Sequence, residues 1–249
     1  MALITVIIPS HNRDAMLARA INSVLGQTHE ELEVIVVDDN SPDQTQQVVK
    51  MMQTWDPRIR LLTLTASMGR SGGLQRNEAI KAARGEYICY LDDDDVYTPW
   101  AVERRAAFLD DHPALDFCWG QTLFIRVPAA GHRLVDHQVV ERLVATPKRN
   151  AHWIEGTVIP NELMHRAGVL GDSGLWWSSG RGEDRRLMEE MLAAGKVGEG
   201  IPETTSIYGH TAPFNPKKAS LRDRTKPRVT PAPTKLPATR TARIQALEK

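Results

Sequence analysis

The sequence is poor in cysteine and has no long hydrophobic run. Only Cys89 and Cys118 carry thiols among its 249 residues, and their spacing fits neither a disulfide framework nor a zinc site. The apolar N-terminal residues 3–8 end at Pro9, which is too short for a signal peptide core or for the ~20 residues that span a bilayer. These absences predict a protein of a reducing, cytoplasmic compartment without a transmembrane segment, for which only peripheral membrane contact stays open.

The sequence also lacks an excess of charge of one sign. Its 31 Lys and Arg balance 31 Asp and Glu, so the formal net charge is zero. This balance argues against nucleic acid as a partner, because nucleic-acid-binding proteins usually carry a basic excess. The charge is nevertheless unevenly spread: residues 217–249 hold ten Lys or Arg against Asp223 and Glu248, a net of +8, so residues 1–216 carry −8.

The composition predicts one folded domain followed by a tail. A chain of this length with 41% hydrophobic residues can bury one sizeable core but hardly two. Residues 215–249 are rich in Pro, Lys, Arg and Thr and poor in large apolar side chains, so burial cannot offset the entropy that ordering would cost. We therefore expect a domain over residues 1–214 and a disordered basic tail over 215–249.

The first half of the domain alternates between strand and helix patterns. Residues 3–8 and 33–37 are rich in β-branched residues without a polar alternation, which is typical of parallel strands covered on both faces. Between them, apolar residues recur at helical spacing from Asp14 to Leu25. The alternation continues with a helix starting at Ser41 and Pro42, a strand at 59–64, a helix at 74–83, a strand at 87–91 and a helix from Thr98 to Asp111. This order predicts an α/β fold with a Rossmann-like, mainly parallel sheet flanked by helices.

The alternation stops after residue 114. Strand-like segments at 117–127 and 133–140 without an intervening helix predict antiparallel strands. A short helix at 160–167, a loop rich in Gly, Ser and Trp at 171–182 and a helix at 183–194 are expected to follow. The domain should thus divide into residues 1–114 and 115–214.

Six aspartates follow the predicted strands. Asp38 and Asp39 end one strand and Asp92–Asp95 another, on the same edge as the Pro9–Asn12 turn. Carboxylates so close repel each other by up to ~4 kcal/mol per pair, so the edge needs a cation or hydrogen-bond donors. Oxygen ligands on a short loop suit Mg²⁺ or Mn²⁺, which complete their coordination with phosphate oxygens and water, so a diphosphate is the expected partner. The alternative, a solvated acidic turn that caps the next helix, remains open.

Seven motifs in this order resemble glycosyltransferase family 2. They are Val6-Ile-Ile-Pro-Ser-His-Asn12, Ser23-Val-Leu-Gly-Gln-Thr28, Val36-Val-Asp-Asp-Asn-Ser41, Arg76-Asn77, Gly85-Glu-Tyr-Ile-Cys-Tyr-Leu-Asp-Asp-Asp-Asp95, Arg166-Ala-Gly168 and Gly182-Glu-Asp-Arg-Arg-Leu187. The resemblance covers about residues 3–210. It implies a GT-A fold, with residues 1–114 binding the donor and residues 115–214 on the acceptor side.

The resemblance also implies an activity. Such an enzyme is metal-dependent and inverting, and it moves one sugar from a UDP or dTDP sugar donor to the hydroxyl of a sugar, lipid-linked or other acceptor in glycan or cell-surface polysaccharide synthesis. The Gln-x-x-Arg-Trp signature of processive synthases does not occur in the sequence, so transfer of a single sugar is expected.

The resemblance further implies which residues bind the donor. Pro9, Ser10, His11 and Asn12 would hold the nucleoside, although family members often carry an aromatic residue where His11 stands. Asp39 would bind the base, unless Asp38 and Asp39 only cap the following helix. Arg76 and Asn77 would lie near the diphosphate or ribose.

The metal ligands and the base are implied in the same way. Asp92 and Asp94 match the Asp-x-Asp motif, with Asp93 as an alternative register, and Asp94 would bind Mn²⁺ or Mg²⁺ directly. His210 would contact the metal or the diphosphate, the alternative being an ordinary surface histidine. Asp184 would be the general base, the alternative being that Glu183 and Asp184 only complement a helix dipole.

Two other functions remain open. Sugar-phosphate nucleotidyltransferases use a similar sheet and Mg²⁺, but they carry a Gly-rich basic loop where this chain has Pro9-Ser-His-Asn-Arg13. A non-catalytic module that binds nucleotide sugars would have lost the base, against which Asp184 argues. Trp153, Trp176 and Trp177 flank the presumed acceptor side, where stacking on a sugar and ordinary packing are equally open.

Overall fold

In the computed structural model, residues 1–69, 71–126, 151–152 and 158–210 are described. The strands are β1 (Ile4–Ser10), β2 (Leu32–Asp38), β3 (Ile59–Thr63), β4 (Tyr87–Tyr90), β5 (Val96–Tyr97), β6 (Phe117–Arg126), β7 (Ala151–His152), β8 (Leu163–Arg166) and β9 (Gly198–His210). The helices are α1 (Asp14–Leu25), α2 (Thr45–Gln53), α3 (Gly73–Ala82), α4 (Ala101–Asp111) and α5 (Glu183–Ala193). None of the helices in these ranges combines the length and apolar character that crossing a bilayer requires. The predicted strand at 133–140, Trp153 and the tail at 215–249 lie outside the described residues.

The described strands form one mixed sheet in the order β3-β2-β1-β4-β8-β6-β9-β5, with β7 paired to β6. The pairs among β3, β2, β1 and β4 are parallel. β8 is antiparallel to β4 and β6, and β5 is antiparallel to β9. The predicted α/β fold, with a parallel half and an antiparallel continuation, is confirmed, although β6 and β9 pair in parallel.

The two faces of the sheet pack into separate cores. Alternate residues of β1 point to opposite faces, so Val6 and Ile8 join one apolar cluster while Ile7 joins the other. The first cluster is completed by side chains of α1, α2 and α4, the second by side chains of α3 and α5. Because both faces are covered, β1 is mostly apolar, and its one buried polar residue before the carboxyl end, Thr5, donates to Glu33 Oε1 at 2.8 Å. The carboxyl end of β1 is left as the place where polar groups reach solvent.

The predicted helix at 160–167 is wrong. Residues Pro160–Glu162 form a 3-10 turn, and the chain continues as strand β8. β8 pairs with a strand on each side, and its residues Leu163, Met164 and His165 are buried. A short apolar segment is compatible with helix or strand, and here the pairing on both edges decides.

Helix α2 begins later than predicted from Ser41 and Pro42. Its first residue is Thr45, whose N–H donates to Oδ1 of Asp43 at 2.9 Å. The turn before the helix is also held by Asp38, which accepts hydrogen bonds from the Ser41 N–H at 3.3 Å and from Gln46 Nε2 at 2.8 Å. Asp38 therefore organises the start of α2.

Candidate active site

A cleft of about 410 Å³ opens at the carboxyl ends of β1 and β4. Its walls come from the turn after β1, the loop that leads into α3 and the aspartate run after β4. The residues that line it are Pro9, Ser10, His11, Asn12, Arg13, Gly69, Ser71, Gly72, Gln75, Arg76, Asp92, Asp93 and Asp94. The structure thus brings most of the predicted donor and metal residues together, since β1 and β4 are parallel neighbours whose ends share one edge of the sheet.

The aspartate run places more negative charge in the cleft than its neighbours neutralise. Burial, together with the nearby charges of Asp94 and Asp92, raises the pKa of Asp93 to about 7, although Ser10 Oγ donates to Asp93 Oδ2 at 2.7 Å. Burial and the charge of Asp92 also raise the pKa of Asp94, even with Arg13 Nη1 at 3.4 Å from its Oδ2. A positive charge placed among these carboxylates would be favourable.

Arg76 supplies a buried positive charge on one wall of the cleft. Its Nη2 lies 2.5 Å from Asp92 Oδ1, and its Nη1 lies 3.8 Å from Glu183 Oε1. The guanidinium carbon sits 4.9 Å from the centroid of the Trp177 ring, which contacts Tyr90 edge-on. Trp177 is thus a packing element that holds Arg76 in place.

Glu183 forms, with Asp184, the pair that resembles the catalytic-base position of the family, although only Asp184 is predicted to act as the base. It shares Arg76 with Asp92, and burial raises its pKa while the charge of Arg76 lowers it. The sequence signals for Glu183 are its place in the Gly182–Leu187 motif and its position at a helix start. Its contact with Arg76 depends on the packing of α5 against α3, which no local pattern encodes.

Asp184 lies in the first turn of α5 and is partly exposed. Its Oδ1 accepts a hydrogen bond from the N–H of Arg185 at 2.8 Å, so the side chain sits at the helix N-terminus. Asp184 follows Glu183, which contacts Arg76, but Asp184 itself is not among the residues that line the cleft. His210 is the last residue of β9, and its backbone lies opposite that of Arg126. Its side chain lies outside the described part of the structure.

Asn77 faces away from the cleft. Its Nδ2 donates to the carbonyl of Trp177 at 2.8 Å, and its Oδ1 accepts from the N–H of Trp177 at 2.9 Å. Both polar atoms of the amide therefore tie α3 to the loop at 171–182. The neighbouring Trp176 is partly exposed and has Lys81 Nζ 5.9 Å from its ring centroid.

Asp39 lies behind the cleft wall. It is buried, and its carboxylate accepts hydrogen bonds from the Met68 N–H and from Ser67 Oγ, each at 2.7 Å. Its main-chain oxygen is 2.8 Å from Nδ1 of the exposed His11. Asp39 thus fastens the loop after β3 to the end of β2 and orients the imidazole that lines the cleft.

The aspartate run fits Mg²⁺ or Mn²⁺ only if a ligand completes the coordination. In the described ranges, no three or more His, Cys, Asp or Glu side chains converge as a metal cage. These ions, however, need only one or two protein carboxylates when phosphate oxygens and water fill the other positions. The raised pKa values of Asp93 and Asp94 indicate that this part of the cleft favours added positive charge.

Comparison with known proteins finds relatives that share this region. The UDP-Glc:alpha-D-GlcNAc-diphosphoundecaprenol beta-1,3-glucosyltransferase WfgD of Escherichia coli is 36% identical over 107 residues, which cover 43% of this chain and 41% of that protein. The chain spans 30 to 42% of the length of four such curated relatives.

Two solved structures share the fold. TarS 1-349 of Staphylococcus aureus in complex with UDP-GlcNAc has a TM-score of 0.64 and 22% identity, covering 85% of this chain and 60% of that one. The mannosyltransferase PcManGT of Pyrobaculum calidifontis in complex with GDP-Man and Mn²⁺ has a TM-score of 0.62 and 20% identity, covering 90% of this chain and 61% of that one.

A family model spans most of the cleft. The model described as glycosyl transferase family 2 matches residues 5–153, which is more than half of the chain. The match includes the turn after β1, the start of α3 and the aspartate run, so the motifs quoted above and the geometry of the cleft agree with it. The chain belongs to glycosyltransferase family 2.

Proposed function

We propose that the protein is an inverting, metal-dependent glycosyltransferase that moves one sugar from a UDP or dTDP sugar to an acceptor hydroxyl. The observation that carries the proposal is the position of Asp92–Asp94 in the cleft beside the Pro9–Asn12 turn, with the pKa of Asp93 and Asp94 raised. This arrangement suits a donor that brings a diphosphate and a divalent cation together. The E. coli protein, whose name includes UDP-Glc, and the S. aureus TarS structure in complex with UDP-GlcNAc support a uridine donor.

Residues on three walls of the cleft would bind the donor. The His11 ring, held by the main-chain oxygen of Asp39, offers an exposed aromatic face on which a base can stack. Arg76 and Arg13 flank the aspartate run and can contact diphosphate oxygens. Asp92 and Asp94 would hold Mn²⁺ or Mg²⁺, whose charge stabilises the departing nucleoside diphosphate. The roles of Asp39, Asn77 and His210 in binding stay predictions.

Asp184 would act as the general base. It accepts the proton of the acceptor hydroxyl while that oxygen attacks the anomeric carbon, and the bond to the diphosphate breaks on the opposite face. One in-line displacement inverts the anomeric configuration. Asp184 lies in the first turn of α5, directly after Glu183, which contacts Arg76.

The acceptor is proposed from the relatives alone. The E. coli relative's name includes a diphosphoundecaprenol acceptor, which supports a lipid-linked acceptor and a role in polysaccharide synthesis. The cytoplasmic location and the division into residues 1–114 and 115–214 stay predictions.

The test is a panel of UDP, dTDP and GDP sugars incubated with Mn²⁺, with and without a chelator, and assayed for release of nucleoside diphosphate. We expect release from at least one donor, loss of release with the chelator, and loss with Asp94→Ala. Formation or use of pyrophosphate instead would identify a nucleotidyltransferase. Tight donor binding without any release, with acceptors of several classes present, would identify a non-catalytic module.

A further inference from the structure

The buried Asn161 contacts both ends of the aspartate run from the side opposite the cleft. It lies in the turn Pro160–Glu162 and is fully buried. Its Oδ1 accepts a hydrogen bond from the Asp92 N–H at 2.8 Å, and its Nδ2 donates to Asp95 Oδ2 at 2.5 Å. The side chain of Asn161 therefore connects the first and the last aspartate of the run.

The turn that carries Asn161 is held by an unusual group, the fully buried cation of Arg105. Its Nη1 donates to the carbonyls of Asn161 and Glu162, each at 3.2 Å, and its Nε donates to that of Ala101 at 3.0 Å. A buried charge is costly unless it is hydrogen-bonded, so Arg105 ties the carbonyls of Asn161 and Glu162 strongly to α4. Asn161 consequently rests on a rigid support.

The four aspartates of the run fall into two groups, one that contacts Asn161 through its side chain and one that lines the cleft. Asp95 is buried against the amide of Asn161 and does not line the cleft. Asp92, Asp93 and Asp94 are left on the cleft wall. The conformation that exposes three carboxylates and hides the fourth is therefore linked to the two hydrogen bonds of Asn161.

We propose that Asn161, supported by Arg105, is a positioning residue of the donor site. It fixes the backbone of Asp92–Asp95 so that Asp92 and Asp94 face the cation and diphosphate. The two hydrogen bonds that join Asn161 to Asp92 and Asp95 are called the clamp below. This inference rests on the proposed function, because it assigns the clamp a role in donor binding. Groups that orient metal ligands from behind typically change metal affinity about 10- to 100-fold when they are replaced.

The experiment compares Asn161→Ala and Asn161→Asp with Thr122→Val in the full-length chain. Asn161→Asp keeps an acceptor for the Asp92 N–H but sets a carboxylate against Asp95. Thr122→Val removes another buried hydrogen bond, the one between Thr122 Oγ1 and Ser206 Oγ at 2.6 Å, and serves as a control of similar burial because this side chain bonds Ser206 and not the aspartate run. Hydrogen exchange of residues 91–96 reports the clamp, and calorimetry with Mn²⁺ and UDP reports the site.

We expect faster exchange at 92–95 in Asn161→Ala and in Asn161→Asp, together with roughly 10- to 100-fold weaker binding of UDP in the presence of Mn²⁺. Thr122→Val should lower the melting temperature while keeping wild-type exchange in this segment and wild-type affinity. Unchanged exchange in Asn161→Ala would overturn the clamp. Equal loss of affinity in Asn161→Ala and Thr122→Val would overturn the positioning role.

The failure of the proposed function would look different. If the wild-type protein bound none of UDP, dTDP and GDP with Mn²⁺, the proposed function and the donor-site role of Asn161 would both be wrong. The exchange comparison would still decide whether Asn161 holds the run.

Discussion

Nη2 of Arg76 lies 2.5 Å from Oδ1 of Asp92, which joins a nearly buried cation to a candidate metal ligand. The Arg76 side chain is 2% exposed and that of Asp92 is 33% exposed. The pair connects α3 to the aspartate run, so one contact serves both the packing of the domain and the charge balance of the cleft. Removal of either partner should therefore affect the stability of the fold.

A double-mutant cycle measures this coupling. Arg76→Met leaves Asp92 and Glu183 without their shared counter-charge, and we expect the free energy of unfolding to fall by about 1.5–3 kcal/mol. Combined with Asp92→Asn, the cycle should give a coupling energy of about 1 kcal/mol or more in urea denaturation.

The exposed pair Arg185–Glu189 is a matched control for the cycle. Its side chains are 79% and 57% exposed at an N–O distance of 2.7 Å. Arg185→Met should cost much less stability than Arg76→Met, because water screens an exposed ion pair. Additive effects of Arg76→Met and Asp92→Asn would mean a coupling energy of zero, so the contact between Arg76 and Asp92 would not contribute to stability.

Neutralising Asp184 and neutralising Glu183 should have different kinetic effects. Asp184→Asn should keep the affinity for UDP with Mn²⁺ and lower kcat by about 10²- to 10⁴-fold, because the general base is lost. Glu183→Gln should mainly raise KM for the donor, because Glu183 neighbours Arg76 on the cleft wall. Steady-state kinetics and calorimetry on the two variants check this, and the reverse pattern would make Glu183 the base.

The raised pKa of Asp93 predicts a pH-dependent stability. Burial and the adjacent charges of Asp94 and Asp92 raise its pKa from 3.8 to about 7, so the folded state holds the proton more tightly than the unfolded state. The stabilising contribution is complete below about pH 4 and is lost as the pH rises through about 7. We expect Asp93→Asn to remove this dependence and to be more stable than the wild type at pH 8.

Thermal melts of both proteins from pH 5 to pH 8 check the prediction. Burial also raises the pKa of Asp94 and of Glu183, so the pH dependence of the wild type alone does not identify Asp93, whereas the difference between the two proteins does. A difference in melting temperature that does not change with pH would contradict it.

The parallel half of the fold could be predicted from the sequence because its signals are local. Segments rich in β-branched residues predicted β1 and β2. The rule that ligands bind beyond the carboxyl ends of parallel strands predicted that the Pro9–Asn12 turn and Asp92–Asp94 share one site, and they line one cleft. The helix predicted at 160–167 failed because β8 is set by pairing with β4 and β6 on its two edges, which a short apolar segment does not reveal.

The roles of individual polar residues were harder to predict. Asn77 belongs to a motif and Asn161 does not, yet it is Asn161 that contacts the aspartate run, while Asn77 holds the Trp177 backbone. Glu183 is ordinary as a residue at a helix start, and its link to Asp92 through Arg76 exists only once α5 packs near α3. Such contacts join residues far apart in the chain, so no local spacing predicts them.

The close approach of Gly73 to the loop at 171–182 predicts that this loop shapes the site. A Cβ atom at Gly73 would lie 2.2 Å from the carbonyl oxygen of Ser178 and 3.4 Å from the Cβ of Trp177. Gly73→Ala must therefore displace the backbone that carries Trp177, which packs on Arg76. We expect a loss of about 1–3 kcal/mol in stability, the usual cost of overpacking, and weaker binding of UDP with Mn²⁺.

Gly26→Ala provides the control for this prediction. Gly26 follows α1 with a φ of −86°, which any residue adopts, and its added Cβ would meet only the Asn22 carbonyl at 3.3 Å. Its effect on stability should stay below about 1 kcal/mol, with UDP affinity unchanged. If Gly73→Ala lost no more stability and no more UDP affinity than Gly26→Ala, the prediction would be wrong. The loop could then move away from α3 without disturbing the packing of Trp177 on Arg76.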